Sequence, residues 1–328
     1  MKPMIGFLKN EKGIALLIVL WVMMLLWAIV GEFSYAVKLR LNIIKNFKDN
    51  TQSYYFAVAG LNNAIASLLE KEQGPVIPVV GNFIRDIESV IKEEGIEGSY
   101  SANIGNESGK VNINTSDDNL LLVMFDGIGI DTEQKNVIVD SILDWRDENN
   151  LHRMNGAEDD YYLSLENPYE CRDNEFQSKE ELLLVRGLSR EIFAGIEGMI
   201  TIYSTSTNDK SNIFAQRSRK SKSGKININF APKELLSSLP TMTDDLADQI
   251  IEYRYDKSLH SINELLAIVG MDVYAAISRY LTISDSSFFS VDSFGFTESG
   301  HSKSVINAII EINTKFENGY RFIQWKEG

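Results

Sequence analysis

The chain has 328 residues and a formal net charge of −14, from 46 acidic and 32 basic side chains. An apolar share of 44% and a charged share of 24% describe an ordinary globular protein, and the length favours two domains. The acidic balance argues against a sequence-independent polyanion binder, and the single cysteine, Cys171, excludes an intrachain disulfide and a cysteine-based zinc site.

The first element is apolar. Ile14 to Val30 is a run of seventeen uncharged apolar residues, about 25 Å long as a helix, at the short end of what crosses a bilayer core. Three readings compete: a secretory signal peptide, a buried core helix and a membrane anchor. A signal peptide ends in a small-x-small cleavage site, which Trp27-Ala28-Ile29-Val30-Gly31-Glu32 does not supply. A core helix needs a reason to be apolar on every side, and two tryptophans without a polar face give none. The anchor is the preferred reading. Lysines and arginines on both sides, Lys2, Lys9 and Lys12 before and Lys38, Arg40, Lys45 and Lys48 after, leave the orientation open on charge alone. The junction is more informative: a short basic leader ends at Gly13 and the apolar run begins at once. From Glu32 to about Glu70 apolar residues recur mostly at three- and four-residue steps, through Phe33, Val37, Leu41, Ile44, Ala57, Leu61, Ile65 and Leu68. One long helix is expected, apolar all round in its first half and one-sided in its second.

After early strands near Ser99 to Ile104 comes an internal repeat. Gly109-Lys110-Val111-Asn112-Ile113-Asn114 returns as Gly224-Lys225-Ile226-Asn227-Ile228-Asn229. Each copy runs on to an aromatic-Arg pair, Trp145-Arg146 or Tyr253-Arg254. Each then shows a serine with an acidic-Leu-Leu group, Ser178 with Glu181-Leu182-Leu183 or Ser261 with Glu264-Leu265-Leu266, and closes on Gly187-Leu188 or Gly270-Met271. Two helical-hairpin units are expected side by side. They resemble helix-hairpin-helix modules, and Asp126-Gly127-Ile128-Gly129-Ile130 could offer backbone N–H groups to phosphate. The rival function is therefore a membrane-anchored helix-hairpin-helix DNA-binding receptor. Against it, the second hairpin carries Asp244 and Asp245 and no glycine, and the one basic cluster, Arg217 to Lys225, reads as a solvated linker between the repeats.

The repeats differ between the aromatic-Arg pair and the serine. Seven positions separate Arg254 from Ser261, but thirty-two separate Arg146 from Ser178. From Asp140 to Glu175 this insertion holds eleven acids against Arg146, Arg153 and Arg172. That density costs Coulomb repulsion unless it is solvated or neutralised, so a solvated acidic loop and a calcium site both fit. No EF-hand pattern is present. Cys171 reads as a lone thiol, and His152, His260 and His301 as surface residues. Without a base partner, a phosphate loop or a hydrolase elbow, neither an enzyme nor a small-molecule substrate is expected.

From Ser286 the pattern alternates. Phe288 to Phe296, Val305 to Ile312 and Tyr320 to Trp325 read as three strands of an antiparallel meander, with turns at Ser299-Gly300-His301-Ser302 and Asn318-Gly319. The meander is placed to cover the one-sided half of the helix. The fold expected is α+β: a long N-terminal helix on an antiparallel sheet, with a large inserted all-α domain. The divisions are 1–13 (leader), 14–70 (stalk helix), 71–108 (first part of the sheet domain), 109–283 (inserted repeats) and 284–328 (meander).

A basic leader ending in glycine, an apolar run and an amphipathic continuation resemble the type IV pilins and type II secretion pseudopilins. Ile18 stands at the fifth position after the leader glycine, where most of that superfamily carries glutamate. This lack, with Ser53-Tyr54-Tyr55-Phe56-Ala57-Val58-Ala59-Gly60, Asp144-Trp145-Arg146-Asp147, Asn155 to Tyr162 and Glu180 to Gly187, resembles the K class of large minor pseudopilins, the general secretion pathway protein K family. Ile14, where Phe or Met is more usual, is a departure. The resemblance implies a pilin-like fold and cleavage between Gly13 and Ile14 by a prepilin peptidase. It implies a single-pass location in the inner membrane of a Gram-negative bacterium, with most of the chain periplasmic. It further implies a place at the pseudopilus tip in a side-by-side complex with two other minor pseudopilins, above the inner-membrane secretion platform, with no nucleic acid bound. It favours calcium in the acidic insertion, with Asp147, Asn149, Glu158, Asp159 and Asp160 as expected ligands. A membrane-anchored adhesin or enzyme regulator is the remaining alternative.

Overall fold

The structure, a computed structural model, describes residues 11–73, 87–93, 96–203, 224–298 and 302–328. Residues 1–10 of the expected leader, the basic cluster from Arg217 to Ser223, and His301 with its turn neighbours Ser299 and Gly300 lie outside the described residues.

Helix α1 runs unbroken from Glu11 to Gln73, 63 residues and on the order of 95 Å. Its apolar first half touches nothing: every residue from Ile14 to Val30 is exposed. The second half turns one face to a sheet. Ala57, Leu61, Ala64, Ile65 and Leu68, spaced for one side of a helix, pack on Ala102, Ile104, Phe289, Val291, Ile306, Ala308, Ile310 and Ile312. The approach is close at two glycines. A Cβ at Gly60 would lie 2.4 Å from Ser293 Oγ, and one at Gly295 would lie 1.9 Å from the Ser53 carbonyl oxygen.

The sheet is antiparallel throughout, in the order β1 (Ile87–Glu93), β2 (Ile96–Asn106), β7 (Phe288–Thr297), β8 (Lys303–Ile312), β9 (Tyr320–Glu327). β7 alternates buried and half-buried residues along its whole length, as a strand covered on one face by a helix should. Edge strand β1 has no such signal in its sequence, because Ile87, Val90 and Ile91 fall at helical spacing. The β8–β9 connection is wider than an Asn-Gly hairpin: residues 313–319 form it, closed by the Asn313 N–H donating to the Gly319 carbonyl at 2.9 Å.

β2 and β7 are neighbours in the sheet, with Ile104 opposite Val291, although the whole helical block lies between them in sequence. One buried side chain ties the entrance of that block to its exit. Asn106 Nδ2 donates to the Ser286 carbonyl (2.8 Å) and Asn106 Oδ1 accepts the Ser286 N–H (3.1 Å). The block has two units. The first runs β3 (Val111–Asn112), α2 (Asp118–Asp126), α3 (Thr132–Arg146), α4 (Asp159–Tyr162), α5 (Arg190–Ile196) and β4 (Ile200–Thr201). The second runs β5 (Ile226–Asn227), α6 (Lys233–Ser237), α7 (Asp244–Asp256), α8 (Leu266–Ile277) and β6 (Leu281–Thr282). The block is not purely helical, because β3 pairs in parallel with β4 and β5 with β6, so each unit closes on a two-residue bridge between its first and last residues. A single apolar core, from Val111 to Leu281, runs through both units.

Candidate functional site

The repeat motif is a polar frame that both units build alike. Asn112 Oδ1 accepts the Asn114 N–H (2.9 Å) and its Nδ2 donates to the Tyr203 carbonyl (2.9 Å). Asn227 does the same with the Asn229 N–H and the Ser284 carbonyl, both at 3.1 Å. The second asparagine of each motif grips one residue by both backbone groups: Asn114 holds Phe176 (2.8 and 3.1 Å) and Asn229 holds Leu259 (both 2.9 Å). The arginine of each aromatic-Arg pair donates to a motif carbonyl, Arg146 to that of Ile113 and Arg254 to that of Ile228, and Arg146 also reaches the Ser116 carbonyl just beyond the motif. Its aromatic neighbour donates to the glutamate of the acidic-Leu-Leu group, Trp145 Nε1 to Glu181 (3.1 Å) and Tyr253 OH to Glu264 (3.3 Å). Burial lowers both arginines' pKa, that of Arg254 to about 10, yet leaves them charged at neutral pH.

In the first unit the long acidic insertion is spliced into this frame between Arg146 and Phe176. It folds back on the C-terminal half of α3. Asp140 Oδ2 accepts from the Asn155 N–H (3.1 Å) and Nδ2 (3.0 Å), and the fully buried Asp144 takes the Arg153 guanidinium (2.8 Å) and backbone N–H (3.0 Å). Gly156 permits this contact, since a Cβ there would lie 1.8 Å from Asp144 Oδ2. Beneath the acids an aromatic cluster anchors the insertion: Trp145 meets Tyr162 edge-on at 5.1 Å and also contacts Tyr169 and Phe176. Burial raises the pKa of Asp144 and the Arg153 hydrogen bonds oppose it.

The five expected ligands meet different fates. Asp147 Oδ2 accepts from Arg153 (2.9 Å), and Asp147 Oδ1 from the Asn149 N–H (3.1 Å). Asn149 Oδ1 accepts the Leu151 N–H (3.0 Å), and Asp160 takes the Tyr161 N–H (2.9 Å). Asp159 accepts the Cys171 N–H (2.7 Å) and Asn150 Nδ2 (3.2 Å). Glu158 differs: it is 2% exposed, and among the described residues its carboxylate meets no N–H donor, only the Cys171 thiol. Burial, assisted by the nearby Asp144, Asp173 and Asp147, pushes its pKa up to about 7, with the Cys171 thiol opposing. The group that gathers around Glu158 is Cys171 and Asp173, with one ligand atom from each lying within 4.8 Å of the others. Charge counting alone does not single out these partners. Cys171 is a free thiol, as expected, and is buried, and Asp173 takes the left-handed backbone conformation (φ 49°).

On α1, Ile14 and Ile18 are 57% and 59% exposed, and Gly13 lies within the helix. Among the described residues one helix is long and apolar enough to span a membrane. The hairpins offer phosphate little. The Gly127 and Gly129 N–H groups already donate to the Met124 and Asp126 carbonyls (both 3.3 Å), and Lys135 is paired with Asp126. At the equivalent turn of the second unit Thr241 takes the left-handed conformation (φ 62°) that Gly129 (φ 70°) takes in the first. Asp244 and Asp245 occupy the first turn of the helix that follows.

Residues 103–205 match the family model described as type II secretion system (T2SS), protein K, and residues 221–277 match that of the helix-hairpin-helix motif. A curated relative, type II secretion system protein K of Aeromonas hydrophila, is 24% identical over 211 residues, 57% of this chain and 62% of the relative, so the match stops short of two thirds of that protein. The fold is shared with a chain in the crystal structure of the GspK-GspI-GspJ complex from the enterotoxigenic Escherichia coli type 2 secretion system. That similarity has a TM-score of 0.59 at 13% identity over 88% of this chain and 99% of that one.

Proposed function

We propose, from the premise that this chain belongs to the type II secretion system protein K family, that it is the minor pseudopilin at the tip of the pseudopilus. There it would initiate or cap assembly for protein export across the outer membrane. The observation that carries the reading is α1: a fully exposed apolar half continuous with a half bound to the protein's own sheet. The exposed half would hold the subunit in the inner membrane, with the bulk of the chain in the periplasm, and after cleavage between Gly13 and Ile14 would pack among neighbouring helices. An isoleucine at position 18 has no carboxylate to offer the amino terminus of a subunit above it, which suits a terminal position. The solved relative was crystallised in a complex of three proteins, which supports two other minor pseudopilins as partners here. Its role is structural rather than enzymatic. Co-purification from membranes with two small pilin-like proteins tests the reading, and their absence from the complex would sink it. Ile18→Glu should bring no gain in secretion; a gain would mean that the tip position is wrong.

We also propose that calcium neutralises the acidic insertion, held by Asp147, Asn149, Asp159 and Asp160 with Glu158. The buried Glu158 carboxylate, which meets no N–H donor among the described residues, supports a cation, while Arg153 would compete for Asp147. When bound, calcium would supply positive charge to a set of oxygen ligands and no reaction. A melting temperature unchanged by calcium at neutral pH would count against it. The helix-hairpin-helix match keeps a DNA receptor as the second reading, and salt-dependent binding of duplex DNA by the purified protein would favour it.

A further inference from the structure

Helix α1 leaves more of itself uncovered than a membrane core can take. Every residue from Ile14 to Lys48 is exposed, which makes roughly 50 Å of bare helix. A bilayer measures about 30 Å through its hydrocarbon and about 40–45 Å with both headgroup layers. With the run from Ile14 to Val30 in the hydrocarbon, the stretch from Phe33 to Lys48 crosses the outer headgroup layer and enters the water just beyond. Its charge is unlike that of the rest. Lys38, Arg40, Lys45 and Lys48 lie in it and no acid stands between Glu32 and Asp49, in a chain whose net charge is −14. At about 100° per residue Lys38, Lys45 and Lys48 fall on one side of the helix, within an arc of about 80°. Leu39, Ile43 and Phe47, all exposed, fall on the opposite side. A basic face backed by an apolar one is the pattern of a helical segment seated at a lipid surface. With the bulk of the chain periplasmic, these cations also stand on the side of the span where the positive-inside rule disfavours them.

We propose that this basic collar binds the anionic headgroups of the membrane's outer leaflet, of the phosphatidylglycerol class. The inference rests on the membrane-anchor reading above and adds to it a choice of lipid. Two observations select the lipid as occupant: the collar continues directly from the apolar run on one unbroken helix, and its charge is complementary to phosphodiester anions. The reach is right as well. Helical side chains tilt toward the N-terminus, here back toward the membrane, and lysine and arginine stems can lie along apolar surface while their charged ends meet phosphate. The attraction decays over a Debye length, about 8 Å in physiological salt. Lys38 and Arg40 therefore act at the closest range, and Lys45 and Lys48 from successively farther out. The acidic insertion in the head is repelled by the same surface that attracts the collar, so the two together would hold the stalk upright before assembly.

The test uses the full chain with a donor dye on Ile44→Cys, labelled in the folded state, where Cys171 is buried; the chain with Cys171 alone is the labelling blank. It is reconstituted into vesicles of mixed phosphatidylcholine and phosphatidylglycerol that contain a trace of one lipid or the other with an acceptor on its tail. Flotation with the vesicles reports insertion, and energy transfer reports which lipid lies near the collar. Transfer to phosphatidylglycerol should be at least about twice that to phosphatidylcholine at low salt, and the two should converge at about 1 M salt, where screening is nearly complete. Lys38→Gln, Arg40→Gln, Lys45→Gln and Lys48→Gln together should equalise the two without changing flotation, since glutamine keeps the helix. Arg190→Gln with Lys257→Gln, which removes exposed charge from the head, should leave the preference in place. Circular dichroism checks that each variant is folded. A chain that floats but shows no preference, a preference that survives the four substitutions, or one that ignores salt would overturn the proposal and leave the anchor standing. Transfer between donor- and acceptor-labelled copies in place of the lipid preference would give this face to another helix and overturn it too. A chain that does not float would sink the anchor and the proposal together.

Discussion

The two helical units share a frame and differ in their load. In the second, the chain passes from Arg254 to the clamped Leu259 by a direct route, and Asn229 holds it. In the first, the same clamp at Asn114 closes on Phe176 only after the acidic insertion has come and gone. The frame tolerates the insertion because its contacts are set at both ends by side chains that reach backbone groups, so the intervening chain can lengthen without moving the helices. The insertion in turn needs its own anchor. That accounts for a buried Trp145 where the second unit has the half-buried Tyr253.

The sharpest way to break this comparison is at that pair. Trp145→Ala should cost about 3–5 kcal/mol, as for other buried aromatics, because Tyr162, Tyr169 and Phe176 all lose their partner. Tyr253→Ala should cost about half as much or less, and equal losses by denaturant unfolding would show that the insertion has no anchor of its own. Next comes Glu158, which has no counterpart in the second unit. Folded, it releases its proton near pH 7 rather than near 4.5. The folded state therefore holds the extra proton between those values, and the stability it contributes is full below about pH 4.5 and lost as pH rises through 7, by roughly 3 kcal/mol. The melting temperature of metal-free protein should fall over that window relative to Glu158→Gln, and parallel curves would refute the buried carboxylate. The clamps should then show the likeness of the units. Asn114→Ala and Asn229→Ala each strip a backbone N–H and C=O of their partner, at about 2 kcal/mol each. A large inequality between them in urea unfolding would mean that the frames are not equivalent. The smallest effect is at the hairpins, where Thr241→Gly should stabilise by about 1 kcal/mol by relieving the left-handed strain. An unchanged or lower melting temperature would speak against that strain.

Much of this frame can be read from the sequence, since the asparagines, an aromatic-Arg pair and a glutamate recur in order and take up corresponding partners in both copies. The long helix is equally legible, because seventeen apolar residues passing into a one-sided pattern can do little else. The two-residue parallel bridges are not legible: Val111-Asn112 and Ile200-Thr201 are too short to carry a period, and their pairing is set by the helices between them. The buried trio is hidden for a different reason. Counting charge points to many acids at once, whereas the feature that separates Glu158 from Asp159 and Asp160 is burial away from any N–H donor, which only packing decides. Cys171 and Asp173 carry no ligand spacing that a linear pattern would catch.

The double hydrogen bond between Asn106 and Ser286 makes the entire head a cassette. The sheet reaches this point as two adjacent antiparallel strands whose ends are already side by side, and among the described residues the head contributes no strand to the sheet that carries it, adding to the staple a Lys326–Glu180 ion pair and the stacking of Tyr203 on Phe288. Replaced by a short turn, residues 107–285 would leave β2 and β7 as an ordinary hairpin on an intact stalk. A lineage could thus acquire, enlarge or exchange such a head without redesigning the pilin beneath it, and an engineer could graft another domain onto the same two strand ends.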